Sequence, residues 1–284
     1  EDKMMNTAVI YGSTGTGKNV YSLIKEDYDV LYFVDENPQR IGEKVESLDI
    51  KDRKEILNET PDVVIMGQLT GYEEAKNWLL GNGIEKNRIL CQYVDFPFRV
   101  RKTCLEEVAA IFKEKNIQGV CAELGVYRGD FAKVINQTFL DRNLYLFDTF
   151  EGFPEKDLNY EVEHNLLKNE IGKLANTSVN YVLNKMPYPE KCIIRQGYFP
   201  DTTKGLEKEK YAFVNIDVDL YKPILAGLEY FWPRMVENGY IFVHDYFSQS
   251  YTGARKAINE FAEKNNVGFI PIGDTLSIAF IKKG

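Results

Sequence analysis

The stretch Ala122-Glu123-Leu124-Gly125-Val126-Tyr127-Arg128-Gly129 decides the fold. It closes an apolar run, turns through two glycines and leads at once into a helical pattern from Asp130. A strand that passes through a glycine turn into a helix opens a doubly wound α/β sheet. Glu123 ends the strand, and Gly125 and Gly129 permit close approach of the backbone to a ligand. The next strand, Leu144-Tyr145-Leu146-Phe147-Asp148, ends in an acid 23 residues after Gly125. An acid there can accept from both hydroxyls of a ribose. Acid-x-Gly-x-x-x-Gly with such a partner suits S-adenosylmethionine, which carries no phosphate, although a dehydrogenase could show something similar. Glu123, Gly125, Tyr127, Gly129 and Asp148 are therefore the first candidate cofactor contacts.

Working outward, strand candidates recur at 119–123, 143–148, 191–195, 211–217, 239–244, 267–271 and 275–281. Helical patterns separate most of them, the clearest placing Ala254, Ala257, Ile258, Phe261 and Ala262 on one face. Gly273-Asp274 between the last two suits a hairpin and an antiparallel final strand. Residues 99–284 thus read as one seven-stranded doubly wound sheet. They open with an amphipathic helix that aligns Leu105, Val108, Ala109 and Phe112. Upstream, residues 1–98 show a smaller rhythm: strands at Ala8–Tyr11, Val30–Asp35, Asp62–Gly67 and Arg88–Cys91, with a helix over Tyr72–Leu80. This predicts a smaller parallel Rossmann-like α/β domain. The stretch Asp95-Phe96-Pro97-Phe98-Arg99-Val100-Arg101 breaks the rhythm and marks the boundary. A chain of 284 residues is long enough for two domains of about 150.

The smaller domain has its own glycine turn, Gly12-Ser13-Thr14-Gly15-Thr16-Gly17-Lys18-Asn19. Its spacing imitates a nucleoside-triphosphate loop, but Asn19 stands where that loop needs a Ser or Thr for magnesium. Asp35, at the end of the second strand, could bind ribose hydroxyls and leaves open a nicotinamide-dependent oxidoreductase. No Tyr-x-x-x-Lys pair accompanies it. The alternative is that these glycines serve only a tight turn, in a domain used for structure or docking. Composition narrows the classes further. Asp and Glu number 43 against 35 Lys and Arg, a net charge of −8, which gives no general attraction for nucleic acid or anionic membranes. No apolar run reaches the ~18 residues of a membrane span, and the polar start Glu1–Thr7 does not read as a secretory signal. The four cysteines stand far apart without a Cys-x-x-Cys pair, so they read as ordinary thiols of a cytoplasmic protein.

Five motifs in order then resemble one family. Glu123–Gly129 is followed by Phe147-Asp148-Thr149-Phe150-Glu151-Gly152-Phe153-Pro154 and by Gln196-Gly197-Tyr198-Phe199-Pro200-Asp201-Thr202. Asn215-Ile216-Asp217-Val218-Asp219-Leu220-Tyr221 and Val243-His244-Asp245-Tyr246 complete the series. Over residues 102–284 this is similar to the macrocin O-methyltransferase (TylF-type) family, which methylates sugar hydroxyls on antibiotics and related glycosides. The segment before it resembles the small Rossmann-like domain that precedes some sugar-modifying enzymes. The likeness implies a class I methyltransferase sheet, S-adenosylmethionine, a divalent metal (usually Mg2+) and a sugar-containing small-molecule acceptor. It also implies adenine contacts at Gln196 and Gly197. Self-association into a homo-oligomer is compatible with it, and methyl transfer to nitrogen remains open. A non-catalytic cofactor-binding protein is the alternative if the metal site is lost.

The resemblance carries the metal to Asp217 and Asp245 and the general base to Asp219. The residues agree with this. Asp217 and Asp219, two apart at a strand end, share a face, and Asp245 ends the next strand. Carboxylate oxygens suit Mg2+, and a carboxylate beside the acceptor hydroxyl can take its proton before attack on the sulfonium methyl. Asp219 could instead cap the following helix. His244 departs from the family, which commonly has an acidic pair there. Imidazole suits Mg2+ poorly, so the site could take Mn2+ or another divalent metal, hold Mg2+ through fewer ligands, or use His244 as base. His164 lies in the polar stretch 157–173, which reads as a lid helix, and is given no role. Tyr198, Phe199, Tyr221, Tyr246 and Phe247 could flank a sugar or simply pack.

Overall fold

Two apolar runs, β1 (Asn6–Tyr11) and β5 (Val63–Met66), lie side by side and parallel in the first of two compact units. The computed structural model describes residues 5–69, 71–167 and 174–283. The units are Glu1–Phe98 and Arg99–Gly284.

In the first unit β1 also pairs in parallel with β2 (Tyr28–Val34), and the glycine turn leads into α1 (Gly15–Ile24). Beyond β2 lies a hairpin, β3 (Lys44–Val45) and β4 (Leu48–Lys51), and beyond β5 lies β6 (Ile89–Leu90). The order is β3-β4-β2-β1-β5-β6. Short helices α2 (Glu55–Glu59) and α3 (Tyr72–Gly81) complete the connections. The hairpin corrects the all-parallel reading: β3 runs antiparallel to β4. Its turn residues, Glu46 at φ 50° and Ser47 at φ 70°, have the left-handed geometry of a type I′ turn without the glycine or asparagine that usually announces one.

The reading of 95–101 as a break in the structure is also corrected, while the two units divide after Phe98. Residues 95–101 belong to a helix, α4 (Gln92–Glu114), with Pro97 inside it. The expected amphipathic face is present, with Leu105, Val108 and Phe112 buried. The helix therefore starts well before the predicted apolar ladder, which begins at Leu105, in a segment whose proline and phenylalanines read as a break.

The second unit is the predicted seven-stranded sheet. Its strands are β7 (Val120–Leu124), β8 (Leu144–Asp148), β9 (Cys192–Gln196), β10 (Tyr211–Ile216), β11 (Met235–Val243), β12 (Phe269–Pro271) and β13 (Ile278–Ile281). The order is β12-β13-β11-β10-β7-β8-β9, so the chain reverses direction of winding between β7 and β10. That reversal is the switch point at which open α/β sheets bind ligands. β13 is antiparallel to both neighbours, as expected, although the connection from β12 is longer than a two-residue turn. β10, in the middle, is buried along its whole length.

Helices α5 (Asp130–Thr138), α6 (Glu155–Glu163), α7 (Val179–Lys185), α8 (Tyr221–Phe231) and α9 (Thr252–Asn265) connect the strands. Phe147, Phe199, Tyr211 and Phe231 form a buried aromatic cluster against one face of the sheet. Of the predicted lid stretch, α6 covers the first part, and 168–173 lie outside the described residues. Among the described residues, no helix is long and apolar enough to cross a membrane.

Candidate active site

The parallel ladder continues one step beyond each strand, and this aligns the candidate residues along the carboxyl edge of the second sheet. Gly197 N–H donates to Asp148 O at 2.9 Å and Gly125 N–H to Phe147 O at 2.9 Å. Asp217 N–H donates to Leu124 O at 2.8 Å and His244 N–H to Ile216 O at 2.9 Å. Gly125 is the tightest point. At φ +88°, a Cβ there would lie 2.0 Å from the carbonyl oxygen of Asp217. The turn after β7 is thus packed directly on the turn after β10, which only glycine permits.

A cavity opens along this edge. Gly125, Tyr127, Asp148, Gly197, Asp217 and Asp219 are among its lining residues. Gln196 lines a neighbouring depression with Gly197 and donates weakly, at 3.5 Å, to Thr149 O. Gly129, at φ +74°, precedes α5 as its N-cap and packs under Val182 of α7 and Met186 just after it. Asp148 is engaged by its own surroundings: Oδ2 accepts from Val126 and Tyr127 N–H at 2.7 Å each, and Oδ1 accepts from Phe150 N–H at 2.7 Å. A carboxylate has about four acceptor positions, so Oδ1 keeps capacity for a ligand hydroxyl. Arg128 turns to Tyr181 of α7.

Glu123 is buried, and its Oε1 accepts from Asn215 Nδ2 at 2.9 Å. Its Oε2 and Asn215 Oδ1 have no partner. Burial, reinforced by Asp217, lifts the Glu123 carboxyl well above its ordinary range against the pull of Asn215 and Arg101. Neither Glu123 nor Asn215 lines the cavity, so Glu123 stands behind the glycine turn, and the free acceptor capacity that fits a ribose hydroxyl of S-adenosylmethionine is that of Asp148.

Where the turn after β10 borders the cavity, Asp217 and Asp219 meet two further titratable residues, His244 and Asp245. Asp217, His244 and Asp245 offer ligand atoms within 4.8 Å of one another. His244 Nδ1 lies 3.1 Å from Asp217 Oδ1 and 2.9 Å from Asp245 Oδ2. Burial opposes a charge on either partner. Even so, the two carboxylates hold His244 well above its ordinary value, and His244 with Arg101 holds Asp217 well below its own. Asp219 moves the opposite way: burial and the negative charges of Asp245 and Asp217 push it well above the carboxylate range. Asp219 (φ 60°) and Asp245 (φ 63°) are both left-handed, a conformation that costs about 1–3 kcal/mol each and gathers at functional sites. The oxygen-and-imidazole donor set fits a divalent cation.

Two residues of this site carry no sequence signal. Arg101, on α4, is buried and donates from Nη1 to Asp217 Oδ2 at 3.1 Å, with its guanidinium over the Phe131 ring. Glu161, on α6, is fully buried and accepts from the N–H of Tyr221, the first residue of α8, at 2.6 Å. Glu161 rather than Asp219 caps α8, which removes the capping alternative for Asp219. Its other oxygen faces Gly253 in the first turn of α9, where a Cβ would come within 2.4 Å of it. Of the aromatic candidates, Tyr198 and Phe199 line the cavity, and Phe199 also packs into the core. Tyr221 stacks on Tyr160, which also stacks on His164. Tyr246 and Phe247 pack edge to face.

The first unit's turn is differently furnished. Asp35 accepts from the Ser13 hydroxyl and from Asn37 N–H at 2.9 Å, and lies 3.5 Å from Arg40. A Cβ on Gly17 would lie 2.0 Å from Gly12 O, and one on Gly12 would lie 2.6 Å from Gly67 O. The acid proposed for a ribose is thus held by its own unit.

The family model of the macrocin O-methyltransferases (TylF) matches residues 99–275, well over half of the chain. The protein belongs to this family. Residues 4–90 match a second model, described as C2185-like, N-terminal. Mycinamicin III 3''-O-methyltransferase of Micromonospora griseorubida is 26% identical over 163 residues, 53% of this chain and 63% of the relative. A tetracenomycin-type rhamnosyl 4'-O-methyltransferase of Streptomyces olivaceus is 27% identical over 168 residues, 56% of this chain and 62% of the relative. The chain therefore matches less than two thirds of the length of these curated relatives. Among solved structures, the O-methyltransferase NovP superposes with a TM-score of 0.55 at 21% identity, covering 65% of this chain and 80% of that one. This likeness supports the class I methyltransferase fold of the family's domain.

Proposed function

We propose that the protein transfers the methyl group of S-adenosylmethionine to a hydroxyl of a sugar-bearing small molecule, a glycan, nucleotide sugar or natural-product glycoside. The observation that carries this reading is the meeting of Asp217, Asp219, His244 and Asp245 beside a cavity that Asp217 and Asp219 line together with Gly125, Asp148 and Gly197. The relatives named for sugar O-methylation support the acceptor class.

In this reading Glu123, Gly125, Tyr127, Gly129, Asp148, Gln196 and Gly197 form or support the cofactor site. Gly125 lets the backbone come close, and Asp148 offers its remaining acceptor capacity to the ribose. Asp217 and Asp245 hold a divalent metal, Mg2+ or Mn2+, which when bound supplies positive charge that acidifies a nearby hydroxyl. Asp219 receives the acceptor's proton, and its place on the cavity wall sets the oxygen for in-line attack on the methyl carbon. Arg101 fixes Asp217 by occupying its outer oxygen. The first unit, residues 1–98, serves as an accessory domain for structure or docking. An excess of acidic residues fits a small-molecule partner better than nucleic acid or membrane. The four unpaired cysteines fit a reducing cytoplasm.

Calorimetric titration with S-adenosylmethionine, repeated with Mg2+, Mn2+ and chelator, tests the reading. One-to-one binding with a metal heat that vanishes in chelator is the expected result. Absence of cofactor binding would sink it.

A further inference from the structure

His244 and Asp245 are the first two residues after β11, which ends at Val243, and they bring their side chains to one place. The left-handed backbone of Asp245, φ 63°, accompanies this convergence, and such strain persists where the surrounding structure holds it. His244 itself is anchored by its N–H to Ile216 O at 2.9 Å. Its ring nitrogen Nδ1 stands 3.1 Å from one oxygen of Asp217 and 2.9 Å from one oxygen of Asp245. Neighbouring ligands on an octahedral ion with bonds of about 2.1 Å are separated by about 3.0 Å. Arg101 Nη1 takes the other oxygen of Asp217 at 3.1 Å, leaving a single oxygen of that carboxylate toward the imidazole. The cavity wall at this end is made by Asp217, Val218 and Asp219 and does not include His244. The ring faces the two carboxylates, a poor position for a base and a good one for a ligand.

We propose that His244 is a metal ligand, so that one imidazole and two carboxylates select Mn2+ or a neighbouring transition-metal ion over Mg2+. The assignment rests on the metal reading above. Mg2+ favours an all-oxygen shell, whereas imidazole suits the first-row transition metals. Three ligands on one side also leave positions for water or an acceptor oxygen.

The test uses the full chain with Mn2+ and Mg2+ as probes, and S-adenosylhomocysteine present throughout. Pulsed electron paramagnetic resonance of the Mn2+-loaded protein is expected to show modulation from a directly bound 14N. His244→Asp is expected to abolish it and to lower the Mn2+-over-Mg2+ affinity ratio by about tenfold or more. The wild-type spectrum stands by itself if the variant does not fold. Bound Mn2+ without nitrogen coupling, or an unchanged ratio in His244→Asp, would overturn the assignment and leave the metal reading intact. Failure of the wild type to bind either ion would overturn both.

Discussion

The two glycine turns of this chain look alike in sequence and differ in what surrounds them. Each follows a parallel strand, opens a helix and has an acid at the end of the next strand. Around Gly12–Gly17 the acid, Asp35, is held by Ser13, Asn37 and Arg40 within the same unit. Around Gly125–Gly129 the acid, Asp148, braces the turn through backbone N–H groups, and a second set of carboxylates arrives from β10 and β11. A glycine turn specifies where the backbone bends. What it binds is decided by side chains from strands far away in sequence, because the switch point brings β7 and β10 together.

The largest contrast is expected in methyl transfer. Asp217→Ala should lower it about a thousandfold or more with any acceptor the wild type methylates, while S-adenosylhomocysteine affinity stays close to wild type. Radiolabelled transfer and calorimetry read the two quantities, and a matching loss of cofactor affinity would break the division of roles between Asp217 and the cofactor contacts. Next come the glycines. Gly125→Ala places a methyl group against the Asp217 carbonyl and should weaken S-adenosylhomocysteine by about a hundredfold or cost about 2–4 kcal/mol of stability. Gly12→Ala should leave cofactor affinity unchanged and lower thermal stability only. Equal effects on binding would show that both turns serve one ligand.

A smaller difference should separate the acids. Asp148→Asn is expected to weaken S-adenosylhomocysteine by about tenfold to a hundredfold, and Asp35→Asn to leave it alone. Calorimetry on both variants sharpens the comparison. The smallest effect concerns pH. Burial raises the Glu161 carboxyl above its ordinary value, against the opposing Tyr221 N–H. A group whose folded pKa is raised binds its proton more tightly in the folded state, so stability falls as pH rises from its unfolded value through its folded one. Glu161→Gln lacks that ionisation. Its melting temperature relative to wild type should therefore climb between about pH 4.5 and neutrality, and a flat difference would count against the assignment.

Much of this was legible because it is local or periodic. Glu123 through Gly129, Asp148, and Asp217 with Asp219 all sit where a strand's apolar run stops, and that stop can be read from the residues. The β3–β4 hairpin was not legible, since Glu46-Ser47 gives no turn chemistry to read. Residues 95–101 read as a break because proline usually ends a helix. Here Pro97 is the sixth residue of the helix, past the four N–H groups that lack an intrahelical partner, so the helix runs on through it at the loss of one backbone bond. Arg101 and Glu161 were hidden for another reason. Each meets its partner across long separations, 116 residues from Arg101 to Asp217 and 60 from Glu161 to Tyr221. A single charged residue on an amphipathic helix does not announce such a partner.

The fit of Glu161 against Gly253 bears on how this scaffold can be re-engineered. Helix α6 looks like an exchangeable cover, the kind of segment one would graft from a relative to change acceptor preference. Its carboxylate, however, caps the start of α8, and the missing side chain at Gly253 makes room for it at the start of α9. A graft would have to carry the acid and keep the glycine together. Otherwise the new cover would disturb the foundations of two helices whose preceding turns hold Asp219 and Tyr251.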